Sequence, residues 1–134
     1  MSYLYRYGVQ TSRKQEFVNI DHLIHEALAE SNIESGIMVV YCPHTTAGIT
    51  INENADPDVK VDLELGLNRT FPNDADYVHM EGNSDGHMKS SLIGASETLI
   101  IENSQPIFGT WQSVYFSDFD GPRNRTVYIK IIEG

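Results

Sequence analysis

The apolar segment Gly36–Cys42, with the sequence GIMVVYC, constrains the possible folds of this chain more than any other stretch. It is a continuous apolar run that begins at a glycine and ends before Pro43, which interrupts it. Continuous apolar character over a short segment is typical of a strand inside a sheet, because helices need longer periodic segments. We therefore expect Gly36–Cys42 to be a central strand.

Several other segments have the alternating or β-branched pattern of strands. In Ser2–Thr11, the side chains of Tyr3, Tyr5 and Tyr7 fall on one face of an extended chain and Leu4 falls on the other. The remaining predicted strands are Glu16–Ile20, Thr45–Asn52, Glu97–Glu102, Thr110–Phe116 and Arg125–Ile132. Turn residues separate them, including Gln105–Pro106, which is predicted to begin a turn.

Helical spacing and capping residues predict two main helices and one short helix. The first helix can be capped by Asn19 or Asp21, since both residue types favour N-caps. The second begins at Asp56, which caps it, and at Pro57 in its first turn. Segment Phe71–Gly86 is rich in Asn, Asp, Gly and Ser and is predicted to be an irregular loop. The predicted helices are Asp21–Ser31, Asp56–Arg69 and the short Gly86–Gly94.

Together these elements predict an α+β fold in one compact domain that spans residues 1–134. The sheet is expected to be antiparallel or mixed, with about six or seven strands in a sandwich-like arrangement, two main helices and a short third helix. A chain of 134 residues is long enough to bury one hydrophobic core. We find no internal repeat or linker.

The charge balance narrows the classes of partner. Nine basic and 19 acidic residues give a net charge of −10, which disfavours binding to nucleic acid or to an anionic membrane. A small anionic ligand is compatible with this charge, because a local site can be positive. Cys42 is the only cysteine, so we expect a buried thiol and no intrachain disulfide. The N-terminal sequence has no secretory pattern, and cytoplasmic localisation is expected.

The segment Cys42–Pro57 contains the first group of candidate site residues. His44 lies at its start, and Asn52 and Asn54 lie on one side of the predicted strand that follows, the side that also carries Thr46. Such a polar face can hydrogen-bond a phosphate or a heterocycle. Asp56 belongs to the same segment, but helix capping accounts for it better.

The segment Tyr77–Ser90, YVHMEGNSDGHMKS, contains the second group. His79 and His87, together with His44, are flanked by small or polar residues that let a ligand approach. Three histidines with an open coordination position form a common catalytic metal site, although packing or capping roles remain the alternative. Lys89 and the exposed amides at a helix start can bind an anion, unless this is an ordinary capped loop.

Other candidates have a structural reading that competes with the functional one. His22 and His25 are three residues apart on the first predicted helix, where a solvated face is the better interpretation. Trp111 is expected to be a core aromatic residue, with a stacking platform as the alternative. Arg123 and Arg125 are expected in a solvated turn, although either can contact a phosphate.

On these motifs the chain resembles the YjbQ family, whose members are also described as secondary thiamine-phosphate synthase-like proteins. The resemblance extends from about Gly36 to the C-terminus. It implies an α+β fold, a homotrimer and an active site near a subunit boundary, lined by the histidines of the family. The matching segments are His44–Val59, Tyr77, His79, Glu81–Gly94 and Gly109–Arg123.

From the residue pattern and this resemblance together we hypothesise residue roles. A divalent metal ion, zinc or magnesium, would be held by His44, His79 and His87. Catalytic roles would fall to His44, His87, Asn52, Asn54 and Asp85. Substrate-binding roles would fall to Lys89, Trp111, Glu81 and Thr46. The short run NSDGH before the last histidine departs from the longer insert common in the family, which affects Asn83 and Asp85.

The function expected from the resemblance is a metal-dependent transferase. It would join hydroxymethylpyrimidine diphosphate to a thiazole phosphate and release pyrophosphate. Two alternatives fit the same residues: a metal-assisted hydrolase of a phosphorylated metabolite, and a non-catalytic protein that binds phosphorylated heterocycles. The expected partners are a small phosphorylated substrate and two further copies of the chain, with no nucleic acid and no membrane.

Overall fold

The computed structural model describes all 134 residues, which form eight strands and three helices. The strands are β1 (Ser2–Gln10), β2 (Glu16–Asn19), β3 (Gly36–Tyr41), β4 (Ala47–Glu53), β5 (Ser96–Glu102), β6 (Gln105–Pro106), β7 (Gln112–Asp118) and β8 (Asn124–Glu133). The helices are α1 (Asp21–Ser31), α2 (Pro57–Thr70) and α3 (Ser84–Ile93). None of these helices is both long enough and apolar enough to cross a membrane.

The strands form two antiparallel sheets. Sheet A has five strands in the order β1-β8-β3-β5-β6, and sheet B has three in the order β2-β7-β4. Strand β3 pairs with β8 on one side and with β5 on the other, so the prediction of a central strand is confirmed. The predicted turn at Gln105–Pro106 is instead a two-residue strand that pairs with the end of β5.

The main hydrophobic core lies between the two sheets and α1. On β8, alternate residues Val127, Ile129 and Ile131 are fully buried, as expected for a strand with one face toward a core. On β3, Met38 and Val40 face the same core. Burying these side chains contributes roughly 1.5–3 kcal/mol each before entropy losses are counted.

The outer face of sheet A remains uncovered in the monomer. It carries five exposed apolar side chains: Leu4, Ile37, Tyr41, Ile100 and Ile132. Ile37 lies opposite Ile100 on β5 and opposite Ile132 on β8, so these three isoleucines form a continuous row across the strands. Continuous apolar character in β3 therefore reflects one face in the core and one apolar face that is open to solvent.

Helices α2 and α3 lie beside sheet B. The Ser90 hydroxyl in α3 donates to the Ala47 carbonyl at the start of β4, over 2.6 Å. A second small core joins Leu67 of α2 to Tyr115 and Phe119. Gly48 lets the C-terminal end of α3 lie close to β4, because a Cβ added at Gly48 would lie 2.5 Å from the Gly94 carbonyl oxygen.

Most predicted helix boundaries agree with the structure, with two differences in detail. Asp56 caps α2 as predicted and accepts a hydrogen bond from the Asp58 amide over 2.9 Å. The N-cap of α1 is Ile20, although the side chain of Asn19 accepts a bond from the amide of Asp21. Helix α3 begins at Ser84, earlier than predicted, because the amides of Gly86 and His87 both donate to the Asn83 carbonyl and start the helical hydrogen bonds there.

Candidate functional site

A buried polar network connects the ends of several strands on one side of sheet B. Asp118 is completely buried and accepts two hydrogen bonds from the Arg125 guanidinium, over 2.7 and 3.1 Å. It also accepts one from the Thr11 hydroxyl over 2.7 Å. Arg125 donates to the Thr46 hydroxyl over 2.9 Å. Arg125 is therefore a buried structural residue, and the prediction that it lies in a solvated turn is wrong.

The charge state of this network follows from its contacts. Burial alone would raise the pKa of Asp118, but the hydrogen bonds from Arg125 and Thr11 outweigh burial and lower that pKa below its ordinary value. The network is therefore an ion pair at neutral pH. Thr46, which is predicted to bind substrate, is buried in this network, and its hydroxyl accepts a hydrogen bond from Arg125.

His44 lies in the connection between β3 and β4 and contacts the same region. Its Nε2 atom accepts a hydrogen bond from the Thr126 amide over 2.9 Å, and its ring packs edge-on against Phe116. Burial and the nearby Arg125 charge lower the pKa of His44. Only a neutral imidazole can accept the bond from Thr126, so the lowered pKa and the geometry agree.

An open cavity of 520 Å³ lies between the β1–β2 loop, α2 and the first turns of α3, and we call it the α2–α3 cavity. None of its lining residues is hydrophobic. Three are basic and two are acidic, so the lining carries a formal charge of +1 in a chain of net charge −10. The lining residues are Arg13, Lys14, Gln15, Glu64, Asn68, Pro72, Asn73, Asp85 and Lys89.

Lys89 is the most buried cation of this cavity, with 3% of its surface exposed. Its ammonium group donates to Gln15 Oε1 and to Asn68 Oδ1, each over 2.6 Å. Burial lowers the pKa of Lys89, although the neighbouring Asp85 carboxylate opposes that shift. Lys89, which is predicted to bind substrate, is thus a side chain fixed by two hydrogen bonds at the wall of the polar cavity.

The other two cations of the cavity have exposed side chains. Lys14 contacts Asp85 over 3.3 Å and has 54% of its side chain exposed. Arg13 contacts Glu64 over 3.1 Å and is similarly exposed. Exposed ion pairs contribute little stability, about 0–1 kcal/mol, so Arg13 can exchange Glu64 for a ligand at small energetic cost. Lys14 is held by a carboxylate that is only 4% exposed, so it is expected to stay beside Asp85.

His79 and His87 lie together at the start of α3. Their ring centres are 5.2 Å apart, with the planes nearly perpendicular. Zinc–nitrogen bonds of about 2.0–2.1 Å in a tetrahedral site place two histidine ring centres roughly 5 Å apart. This spacing is compatible with a shared metal ion and equally with an edge-to-face contact between two rings.

A complete metal site does not form within one chain. No group of three or more His, Cys, Asp or Glu side chains is placed to hold a metal ion. His44 is not grouped with His79 and His87 as a metal site within the chain, and its Nε2 atom accepts a hydrogen bond from the Thr126 amide. The monomer thus supplies two candidate metal ligands, His79 and His87.

The predicted polar wall of Asn52 and Asn54 lies at the opposite end of β4 from α3. A strand rises about 3.3 Å per residue, so Asn52 is roughly 16 Å along β4 from Ala47, where α3 makes contact. Asn52 accepts a bond from the Glu53 amide, and Asn54 donates to the Ser113 hydroxyl over 2.6 Å. These asparagines are therefore not brought together with the second group of candidate residues.

Two other predicted site residues are exposed. Trp111 precedes β7 with 59% of its surface exposed, so the expectation of a core aromatic residue is wrong. Glu81 lies in the loop before α3, where it accepts a long bond of 3.5 Å from the Asn83 amide group. Neither residue lines the α2–α3 cavity.

Sequence reasoning missed the β1–β2 loop and the end of α2 as parts of this site. Arg13 and Lys14 are the only adjacent pair of basic residues in an acidic chain, and that signal was available. Gln15 and Asn68 carried no such signal. They meet Lys89 only because three elements distant in sequence converge.

Comparison with known proteins places these features in context. A family model described as UPF0047 protein YjbQ-like matches residues 5–134. The UPF0047 protein MJ1081 of Methanocaldococcus jannaschii is 51% identical over 129 residues, which cover 96% of this chain and 94% of that protein. The UPF0047 protein YugU of Bacillus subtilis is 50% identical, with coverage of 92% and 95%.

Solved structures agree with this fold. A crystal structure of an uncharacterized yjbq/upf0047 family protein from Clostridium acetobutylicum has a TM-score of 0.94 and 52% identity, covering 96% of this chain and 99% of that chain. A YbjQ-like protein of unknown function from Sulfolobus solfataricus has a TM-score of 0.95 at 24% identity, covering 100% and 99% of the two chains. The latter supports the α+β fold alone.

These matches correct the expected activity. The curated relatives are described only as UPF0047 proteins, and the Sulfolobus protein is described as of unknown function. Family membership therefore gives no support for thiamine-phosphate synthase activity, and the prediction of such a transferase is wrong. A proposal for the function must therefore rest on the contacts that the structure shows.

Proposed function

We propose, on the premise that the chain belongs to the UPF0047 family of YjbQ-like proteins, that it binds a small phosphorylated molecule in the α2–α3 cavity. The observation that carries this proposal is the composition of the lining, which is entirely non-hydrophobic and has a net positive formal charge within a strongly acidic chain. Local positive charge attracts anions even where the net charge of the protein opposes them.

The cations of the cavity have complementary roles in this proposal. Lys89 is fixed by two short hydrogen bonds and would provide a preorganised charge at the wall. Arg13 is exposed and would leave Glu64 to contact the phosphate oxygens, and the exposed Lys14 would contact them while it stays beside the buried Asp85. Hydrogen bonds between ionised groups are roughly twice as strong as neutral ones, so a dianionic phosphate is favoured over a neutral ligand.

A titration with propyl phosphate tests this proposal. We expect amide signals of the β1–β2 loop and of α3 to shift in an NMR titration, and we expect Lys14→Ala to weaken binding several-fold. Lys60→Ala removes the same charge from α2 at a position that does not line the cavity, and should change affinity little. Equal weakening by both substitutions would indicate non-specific charge attraction and contradict the proposal.

We also propose that His79 and His87 bind a divalent metal ion, with a further ligand from another copy of the chain. The ring spacing of 5.2 Å supports this pair, and imidazole ligands favour zinc over magnesium. We expect His87→Ala to lose bound zinc after dialysis, measured by elemental analysis, and the control His22→Ala to retain it. Retention of zinc by His87→Ala would contradict the assignment.

We propose that the assembly is a homotrimer formed through the outer face of sheet A. The row of Ile37, Ile100 and Ile132 supports this, because exposed apolar patches of this kind mark interaction sites. Light scattering should give three times the chain mass, and Ile100→Asp should reduce it to one. Leu65→Asp, at an exposed apolar position of α2, is the matched control and should leave the trimer intact. A wild-type monomer would refute the proposal.

A further inference from the structure

Strand β1 forms an open edge of sheet A. It pairs with β8 in an uninterrupted register from Ser2 to Gln10, and no strand of the chain pairs with its other side. None of the backbone hydrogen bonds of loops, turns and caps uses a group of β1. In an antiparallel ladder, alternate residues direct their N–H and C=O groups away from the partner strand. A nine-residue edge without a proline or a bulge is therefore a template for an added strand.

The side of β1 that is turned toward α1 carries a row of aromatic rings, which we call the tyrosine ladder. Its members Tyr3, Tyr5 and Tyr7 are half-buried, and neighbouring ring centres are 6.4 Å apart. An added strand repeats its side chains on one face about every 6.6–6.8 Å, so its alternate side chains match the spacing of the ladder. Lys and Arg suit such a surface, because their stems pack on apolar groups while their charged ends stay hydrated.

Two unpaired carboxylates of α1 lie beside the tyrosine ladder. Glu26 and Glu30 are exposed, one helical turn apart, and no cation of the chain forms a salt bridge with either. Burial and the charges of Glu26 and Glu30 raise the pKa of Tyr7, and burial and the charge of Glu30 raise the pKa of Tyr5, so both carboxylates are close to the ladder. Like charges at this helical spacing repel, and added cations would remove that repulsion.

We propose that the open edge of β1 binds an extended basic segment of another protein, which adds a sixth strand to sheet A. Lysine or arginine at every second position of that segment packs on the tyrosine ladder and pairs with Glu26 and Glu30. Arg6 lies on the opposite face of β1, so the residues between the cations are uncharged or acidic. Antiparallel pairing with β1 of a second copy would instead bring four of these carboxylates to one face, which like-charge repulsion opposes.

Two capped peptides of identical composition test the alternating pattern. In KTKTKTK the lysines share one face of an extended chain, and in TKKKKTT they do not. We expect KTKTKTK to bind about tenfold more tightly in calorimetry, because more of its cations reach the carboxylates. Methylation of every backbone amide of KTKTKTK keeps its charges and should abolish binding, since β1 then receives no hydrogen bond. Equal affinities of KTKTKTK and TKKKKTT would indicate non-specific charge attraction and overturn the proposal.

A matched pair of substitutions locates the charge contribution. Glu30→Gln should weaken binding of KTKTKTK about threefold to fivefold, the effect expected for one exposed ion pair. The control Asp62→Asn removes a charge from α2, beside sheet B, and should change the affinity little. Equal weakening by the two substitutions would contradict the assignment of the site to the edge of β1.

Hydrogen exchange measured by NMR on the wild-type protein tests the added strand itself. We expect every second amide of β1, the set not bonded to β8, to become protected when KTKTKTK is added. The amides of β4, an edge strand of sheet B, should not change. Peptide binding without protection in β1 would overturn strand addition. Protection of the same amides before peptide is added would show that another copy of the chain covers this edge, and would also overturn the proposal.

Discussion

Asp118→Ala should be among the most destabilising single substitutions in this protein. Asp118 is completely buried and accepts four hydrogen bonds: two from Arg125, one from Thr11 and one from the Asp120 amide. Its removal leaves the Arg125 guanidinium, which is only 5% exposed, with Thr46 as its remaining side-chain partner. The substitution thus converts a buried ion pair into a buried unpaired charge.

The expected loss is about 3–5 kcal/mol, the usual effect of removing one partner of a buried ion pair. A domain of this size is typically stable by only about 5–15 kcal/mol, so this loss approaches unfolding. Glu64→Ala is the matched control, because it breaks the exposed pair with Arg13 and should cost no more than about 1 kcal/mol. Replacing both Asp118 and Arg125 by apolar residues should recover much of the loss.

Urea unfolding at one fixed protein concentration measures these differences, since association would otherwise change the apparent stability.

Because the folded pKa of Asp118 is lowered, the contribution of Asp118 to stability is fully present above the unfolded pKa of about 4 and is lost as pH falls through the folded pKa. The stability difference between the wild-type protein and Asp118→Ala should therefore narrow below about pH 4. A loss under about 1 kcal/mol at pH 7, or a difference that widens in acid, would refute this reasoning.

Two further predictions concern His44 and Gly48. The folded pKa of His44 is lowered, so its contribution to stability is present above the unfolded pKa of about 6.5 and is lost as pH falls through the folded pKa. His44→Phe should therefore lose less free energy of unfolding between pH 7 and pH 5 than the wild-type protein loses. An unchanged pH dependence of stability would contradict this. Gly48→Ala should destabilise by about 1–3 kcal/mol, because the new Cβ would lie 2.5 Å from the Gly94 carbonyl oxygen. Gly66→Ala, in α2 with nothing within 4 Å of the added Cβ, should instead stabilise by up to about 1 kcal/mol in the same urea assay, and equal effects of the two substitutions would refute the packing argument.

Local sequence patterns predicted most elements because local chemistry determines them. Asp56 and Pro57 start α2 through capping and a preset backbone angle, neither of which needs a distant partner. The central position of β3 followed in the same way from its apolar run. That run did not reveal that Ile37 and Tyr41 lie on an open face, since apolar residues look alike whether this chain or another molecule covers them.

The candidate site was less accessible to sequence reasoning because it depends on long-range convergence. His44 and Asn52 are close in sequence, but the extended strand between them carries them to different ends of sheet B. Conversely, Gln15, Asn68 and Lys89 are far apart in sequence and meet through short hydrogen bonds. A linear motif identifies Lys89 but not the residues that complete its surroundings.

A crystal structure of the protein grown with glycerol 3-phosphate tests the central claim most directly. We predict density for the phosphate in the α2–α3 cavity, within hydrogen-bond distance of the ammonium groups of Lys14 and Lys89. The Arg13–Glu64 contact of 3.1 Å should lengthen as Arg13 turns toward the phosphate. A cavity that holds only water at ligand concentrations in the millimolar range, with this contact unchanged, would contradict the claim that the cavity is the functional site.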